Sequence, residues 1–276
     1  MLTALSPSHY LAGAVALLLV VSLSQCGGST SAAVPETSTG MTDAQIQKLL
    51  TQRTFFGHQS VGDNIVQGIR DEMAADPRLT LSIVASSDPA SVSGPAFIES
   101  HIGQNTDPPS KDAAFAAIMD SGFGSQGGIA MYKYCYIDVN DFTDIQEMFA
   151  NYRNVIETMK STYPRLQVIP ITIPLTVAES TAKAWLKSAL GKATARDVNV
   201  KRNDFNTLLR QAFAGKSIYD LAKVESTHPD GTRSYVIVGG QTVYTLCPEY
   251  TDDGGHLNAL GRDMAARELL RVLANL

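Results

Sequence analysis

The chain has 276 residues, a net charge of −5 and 18% charged residues, with Lys and Arg scattered instead of gathered into a stripe. That pattern excludes the electrostatic footprint of a nucleic-acid binder, and the length suits one α/β domain with a sizeable core. The absence of any CxxC pair or HExxH segment removes zinc-ribbon, thioredoxin-like and zincin chemistry.

In chain order, residues 10–23 form an apolar run too short to span a bilayer comfortably. It ends in Leu23-Ser24-Gln25-Cys26-Gly27-Gly28, small residues around a cysteine as at a bacterial lipoprotein processing site. The expectation is an exported, periplasmic or cell-surface chain with a signal segment over 1–26 and lipid on Cys26, its only contact with a membrane. Gln25 is bulkier than the residue usual before such a cysteine, and no Lys or Arg precedes the run. An ordinary cleaved signal and an uncleaved anchor are therefore the alternatives. Residues 27–41 are rich in Ser, Thr, Ala and Gly and read as a flexible tether. Residues 42–276 read as a single catalytic domain, because no Pro/Ser/Gly linker interrupts them.

A helix is expected from Thr42, whose spacing to Gln45 is that of a capping box, with Ile46, Leu49 and Leu50 as its apolar stripe. A strand over 53–56 leads into Gly57-His58-Gln59-Ser60-Val61-Gly62, and a helix follows with Ile65, Val66, Ile69 and Met73 on one face. Asp76-Pro77 ends that helix. Residues 79–84 alternate like a strand, and a long polar loop over 86–111 holds His101-Ile102-Gly103-Gln104-Asn105. A short helix over 113–119 precedes a central strand over 129–137. Asp138 and Asp141 flank Asn140 there, as candidate caps for a helix over 143–159. A strand over 166–171, a helix over 205–213, a hairpin turning at Gly239-Gly240 and a last helix over 259–273 complete the pattern. Strand–helix alternation of this kind predicts a mostly parallel sheet with helices on both faces.

Two segments carry chemistry. Ser60 stands in a glycine-flanked turn between strand and helix, where unpaired helix N–H groups can stabilise a developing oxyanion. Asp253-Gly254-Gly255-His256-Leu257 offers a base with its carboxylate just before the last helix. Loops at the carboxyl ends of parallel strands converge on one crevice, so the two segments can meet although almost the whole chain separates them. A nucleophile with a base points to acyl transfer or hydrolysis. Gly122-Phe123-Gly124-Ser125-Gln126-Gly127 matches a dinucleotide fingerprint in spelling only, since it precedes a strand and opens no helix.

The order Ser60, Ile102-Gly103-Gln104-Asn105, Asp138-Val139-Asn140-Asp141, Asp253-Gly254-Gly255-His256 resembles the SGNH (GDSL-like) hydrolase superfamily over roughly residues 53–276. The resemblance implies a three-layer αβα sandwich, flavodoxin-like, working without a metal or organic cofactor. It implies Ser60 as nucleophile, His256 as base and Asp253 as its orienting carboxylate. The Ser60 and Gly103 backbone N–H groups and the Asn140 amide would form the oxyanion hole. The substrate class it implies is a small-molecule or glycan ester, with acyl transfer to a sugar hydroxyl, or a non-catalytic surface binding module, as alternatives. Where the family commonly has an acidic residue before the serine, this chain has Gln59. His58, on the strand face of Ser60, is then a second candidate base or else a buried structural residue. Blander roles are expected elsewhere: a turn for Asp107, a cap for Asp220, loops for His101 and His228, and core or pocket wall for Trp185. Pairing of Cys135 with Cys247 is left open.

Overall fold

A computed structural model describes residues 40–276 apart from 181, 183–185, 187, 188, 191 and 192. The signal segment, Cys26, most of the tether and Trp185 lie outside the described residues. Thr42 caps α1 (Asp43–Thr51) with both arms of the capping box formed. The sheet then alternates with helices: β1 (Arg53–His58), α2 (Ser60–Ala75), β2 (Ile83–Ala85), β3 (Ala96–His101), α3 (Pro108–Ile118), β4 (Gly128–Tyr132), α4 (Ile145–Thr162) and β5 (Leu166–Val168). After these come α5 (Ala195–Ala212), α6 (Leu221–Glu225), the hairpin β6 (Tyr235–Val238) and β7 (Gln241–Tyr244), and α7 (Ala259–Ala274).

The strands run in the order β2-β3-β1-β4-β5, and all pairs are parallel. Beyond β5 the sheet is continued by a parallel bridge from Ile171 to Tyr219, closed by Tyr219 N–H on Pro170 O and Thr172 N–H on Tyr219 O. Alternation across β1 sends Phe56 to one face and Phe55 to the other. Phe56 joins Ile46, Ile65, Ile69, Leu269 and Leu270 from α1, α2 and α7. Phe55 joins Phe115, Tyr152, Phe205 and Leu209 from α3, α4 and α5. Helices thus cover both faces, giving a three-layer α/β sandwich.

The structure corrects several expectations. The segment over 86–111 is no long loop: it contains β3, paired on both sides, and the start of α3. Ala96, Phe97 and Ile98 are buried, and a three-residue apolar run buried on both faces carries no alternation to betray it. The strand expected over 79–84 pairs only over Ile83–Ala85, and the one expected over 129–137 leaves the ladder after Tyr132. Residues Tyr136–Asp138 form a single 3-10 turn. Asp144, with Oδ1 accepting from Gln146 and Glu147 N–H, caps α4; Asp138 is buried instead. Asp107 caps α3 and Asp220 caps α6. His101 ends β3. Cys135 and Cys247 are buried free thiols. Among the described residues no helix is long and apolar enough to cross a membrane.

Candidate active site

Ser60 is the first residue of α2, directly after the carboxyl end of β1. Gln59 precedes it in extended conformation and makes no side-chain cap. Its amide instead reaches across to the next loop, where Nε2 donates to Ile102 O at 3.1 Å and Gly103 O at 3.0 Å. Gln59 thus ties the Gly103 loop to the Ser60 turn. Ile102 N–H donates to His58 O at 3.1 Å, a second tie between the same segments.

His256 reaches Ser60 from the other end of the chain, with Nε2 at 3.1 Å from Oγ. Its Nδ1 lies 2.6 Å from Asp253 Oδ2. Asp253 Oδ1 accepts the backbone N–H of Gly255 at 2.9 Å and of His256 at 2.8 Å. The His256 side chain and these two N–H groups hold the Asp253 carboxyl well below the usual carboxylate range. An ionised Asp253 only accepts, so the proton of a neutral His256 sits on Nδ1 and leaves Nε2 free to accept from Ser60. This is the arrangement that makes a serine hydroxyl a nucleophile.

Tyr136 was not singled out by sequence, yet its hydroxyl lies 3.4 Å from His256 Nε2 and its ring packs edge-on to the imidazole. A Cβ on Gly255 would come within 2.8 Å of the Tyr136 ring, so Gly255 permits this contact. Arg202 holds the segment by donating from Nε and Nη2 to Tyr136 O at 3.0 and 2.8 Å. No local signal marks either residue, because the contacts span 120 and 66 positions.

Gly103 has φ +57, and an added Cβ would lie 2.5 Å from the Lys111 backbone nitrogen. Both the left-handed conformation and the close approach require glycine. Buried Lys111 donates to Asp138 Oδ2 at 2.5 Å and Asn105 Oδ1 at 3.1 Å. Asp138 also accepts from Cys135 N–H at 2.6 Å and Thr106 N–H at 2.8 Å. The buried pair therefore staples the loop after β3 to the segment after β4, which are two walls of the site.

Asn140 is exposed and its Oδ1 accepts Phe142 N–H at 2.8 Å. It lines a cleft of about 700 Å³ together with Tyr136, Thr176, Glu179, Arg202 and Asp253. His58 is fully buried and turns away from the serine, with Nε2 3.1 Å from Glu99 and Nδ1 3.3 Å from Gln59 O. The histidine that bonds Ser60 is His256.

No family model and no curated protein matches the chain. Solved structures do. One is a protein described as a platelet activating factor from Streptococcus pneumoniae, at 16% identity over 83% of this chain and 91% of that one, with a TM-score of 0.47. A second is described as a GDSL-like lipase from Parabacteroides merdae, at 9% identity over 80% and 94%, with a TM-score of 0.42. The carboxy-terminal domain of Drosophila Oskar is a third, at 12% identity over 86% and 97%, with a TM-score of 0.38. The chemistry is carried by the site's own geometry.

Proposed function

We propose that this protein is a serine esterase that hydrolyses a carboxylic ester through an acyl-enzyme on Ser60. The observation that carries the reading is the continuous chain Ser60 Oγ, His256 Nε2, His256 Nδ1, Asp253 Oδ2, with links of 3.1 and 2.6 Å. Ser60 Oγ attacks the ester carbonyl carbon as its proton passes to His256 Nε2. The oxyanion is met by N–H groups at the start of α2, by Gly103 N–H and by the Asn140 amide. Collapse expels the alcohol, which takes the proton from His256. Water then adds to the acyl-enzyme with His256 as base, and the acid leaves as Ser60 regains its proton.

The cleft beside the triad favours a polar, acylated substrate such as a glycan ester. Thr176, Glu179 and Arg202 contribute polar groups to it, and Phe142 and Ile137, 89% and 46% exposed, stand beside Asn140 and Tyr136 in the chain. An exposed aromatic near a cleft that mixes polar and apolar groups suits a sugar ring, which has both. An exported protein lipidated at Cys26 would meet such esters outside the cytoplasm. A fluorophosphonate should label Ser60 alone, and Ser60→Ala should abolish both labelling and short-chain aryl ester turnover with the circular dichroism spectrum unchanged. A label mapping to another serine overturns the reading. Product analysis with an added sugar separates hydrolysis from acyl transfer.

A further inference from the structure

A second cluster of chemistry-bearing side chains stands near the serine but outside its triad. His58 ends β1, His101 ends β3 directly opposite it in the parallel register, and Asp63 lies on the first turn of α2. One ligand atom from each of His58, Asp63 and His101 lies within 4.8 Å of the other two. The separations are 2.7 Å from His101 Nε2 to Asp63 and 3.8 Å from His58 Nδ1 to Asp63. Donors bound at ~2.0–2.1 Å around a tetrahedral zinc ion stand about 3.4 Å apart, a separation between the 2.7 and 3.8 Å found on the two sides of Asp63 Oδ1.

The surroundings supply what a ligating histidine needs. Glu99 Oε2 sits 3.1 Å from His58 Nε2. A carboxylate on Nε2 is the outer partner that orients a ligating imidazole, and it leaves Nδ1 on the side of Asp63. His58 Nδ1 lies 3.3 Å from Gln59 O and 3.8 Å from Asp63 Oδ1. Asp63 and His101 also line a hollow of about 530 Å³ together with Glu99 and Ser86. Two imidazoles and one carboxylate select a borderline first-row ion over magnesium.

We propose that His58, Asp63 and His101 form a zinc site that clamps the first turn of α2 onto the ends of β1 and β3. Ser60 contributes no donor to it, so the site braces the nucleophile's turn without touching the reacting atoms. It stands independently of the esterase reading.

The test is calorimetric titration of ZnCl2 into chelator-treated, tag-free full-length protein, with MgCl2 in parallel. One zinc should bind per chain and raise Tm, while magnesium does neither. His101 is 57% exposed, so His101→Ala should fold normally and bind zinc at least tenfold more weakly. His228, Cys247 and Glu249 form another convergent group, and His228→Ala should leave the titration unchanged. Zinc binding that survives His101→Ala, that is lost in His228→Ala alone, or that is absent from the wild type overturns the proposal.

Discussion

At the residue scale, two histidines near one serine are told apart by their partners. His256 has a carboxylate on one nitrogen and Ser60 on the other, whereas His58 spends its nitrogens on Glu99 and a backbone carbonyl. His256→Ala should therefore lose activity about as completely as Ser60→Ala, because nucleophile and base act as a unit. His58→Gln should retain a measurable fraction, and kcat/KM for the two variants checks the ranking. Asn140 serves a turn through Oδ1, a function that aspartate would preserve. Asn140→Asp removes only the N–H donor and, under the proposed mechanism, sets a negative charge where the oxyanion would develop. The expected result is a fall in kcat of at least ~100-fold at unchanged Tm. Gly103 offers no such clean test, since any side chain there collides with Lys111 whatever its catalytic part.

At the element scale, the position of the serine depends on how closely α2 packs. A Cβ on Gly68 would lie 2.4 Å from Arg262 O and 2.8 Å from Ala266 Cβ on α7. A backbone carbonyl cannot rotate away as a side chain can, so the two helices must part. Overpacking of this kind costs ~1–3 kcal/mol, against ~1 kcal/mol that alanine contributes to helix propensity. Gly68→Ala should thus lower the denaturant midpoint without changing the m-value. A midpoint at or above wild type would mean that α2 and α7 slide past each other at little cost. Gly62 is constrained in the same way by the His58 ring, 2.3 Å from its added Cβ, which couples the nucleophile's turn to the His58 cluster.

At the scale of the whole molecule, the layer boundaries hold charged groups away from water. Glu225, buried at the end of α6, accepts Leu175 N–H at 2.6 Å, and burial pushes its carboxyl up to about 8. Between the unfolded value of 4.5 and about 8 the folded chain keeps a proton that the unfolded chain has released. The folded state then binds more protons, so stability is fully present below 4.5 and is lost as pH rises towards 8. The slope from one group is at most ~1.4 kcal/mol per pH unit. Glu225→Gln keeps an acceptor for Leu175 and removes the titration. It should match wild type near pH 5 and exceed it near pH 8 in denaturant midpoint; parallel pH profiles for the two proteins would refute this.

Local physics made much of the fold and half of the site legible in the sequence. The Thr42 capping box, the apolar stripes of α2, α4 and α7, and the Gly239-Gly240 hairpin rest on neighbours a few positions apart. So do the Ser60 turn and the Asp253–His256 pair, three residues apart, whose hydrogen bonds close within one loop. What tertiary structure decided involves partners far apart in the chain. It placed β3 between β2 and β1, because a strand buried on both faces has no polar alternation of its own. It buried Lys111 against Asp138 across 27 positions and turned Asp138 from a candidate cap into a staple. It brought Tyr136 to His256 and drew His256 to Ser60 across 196 positions. Periodicity encodes which face of an element is apolar. Which elements become neighbours is settled only when their faces compete for the same core.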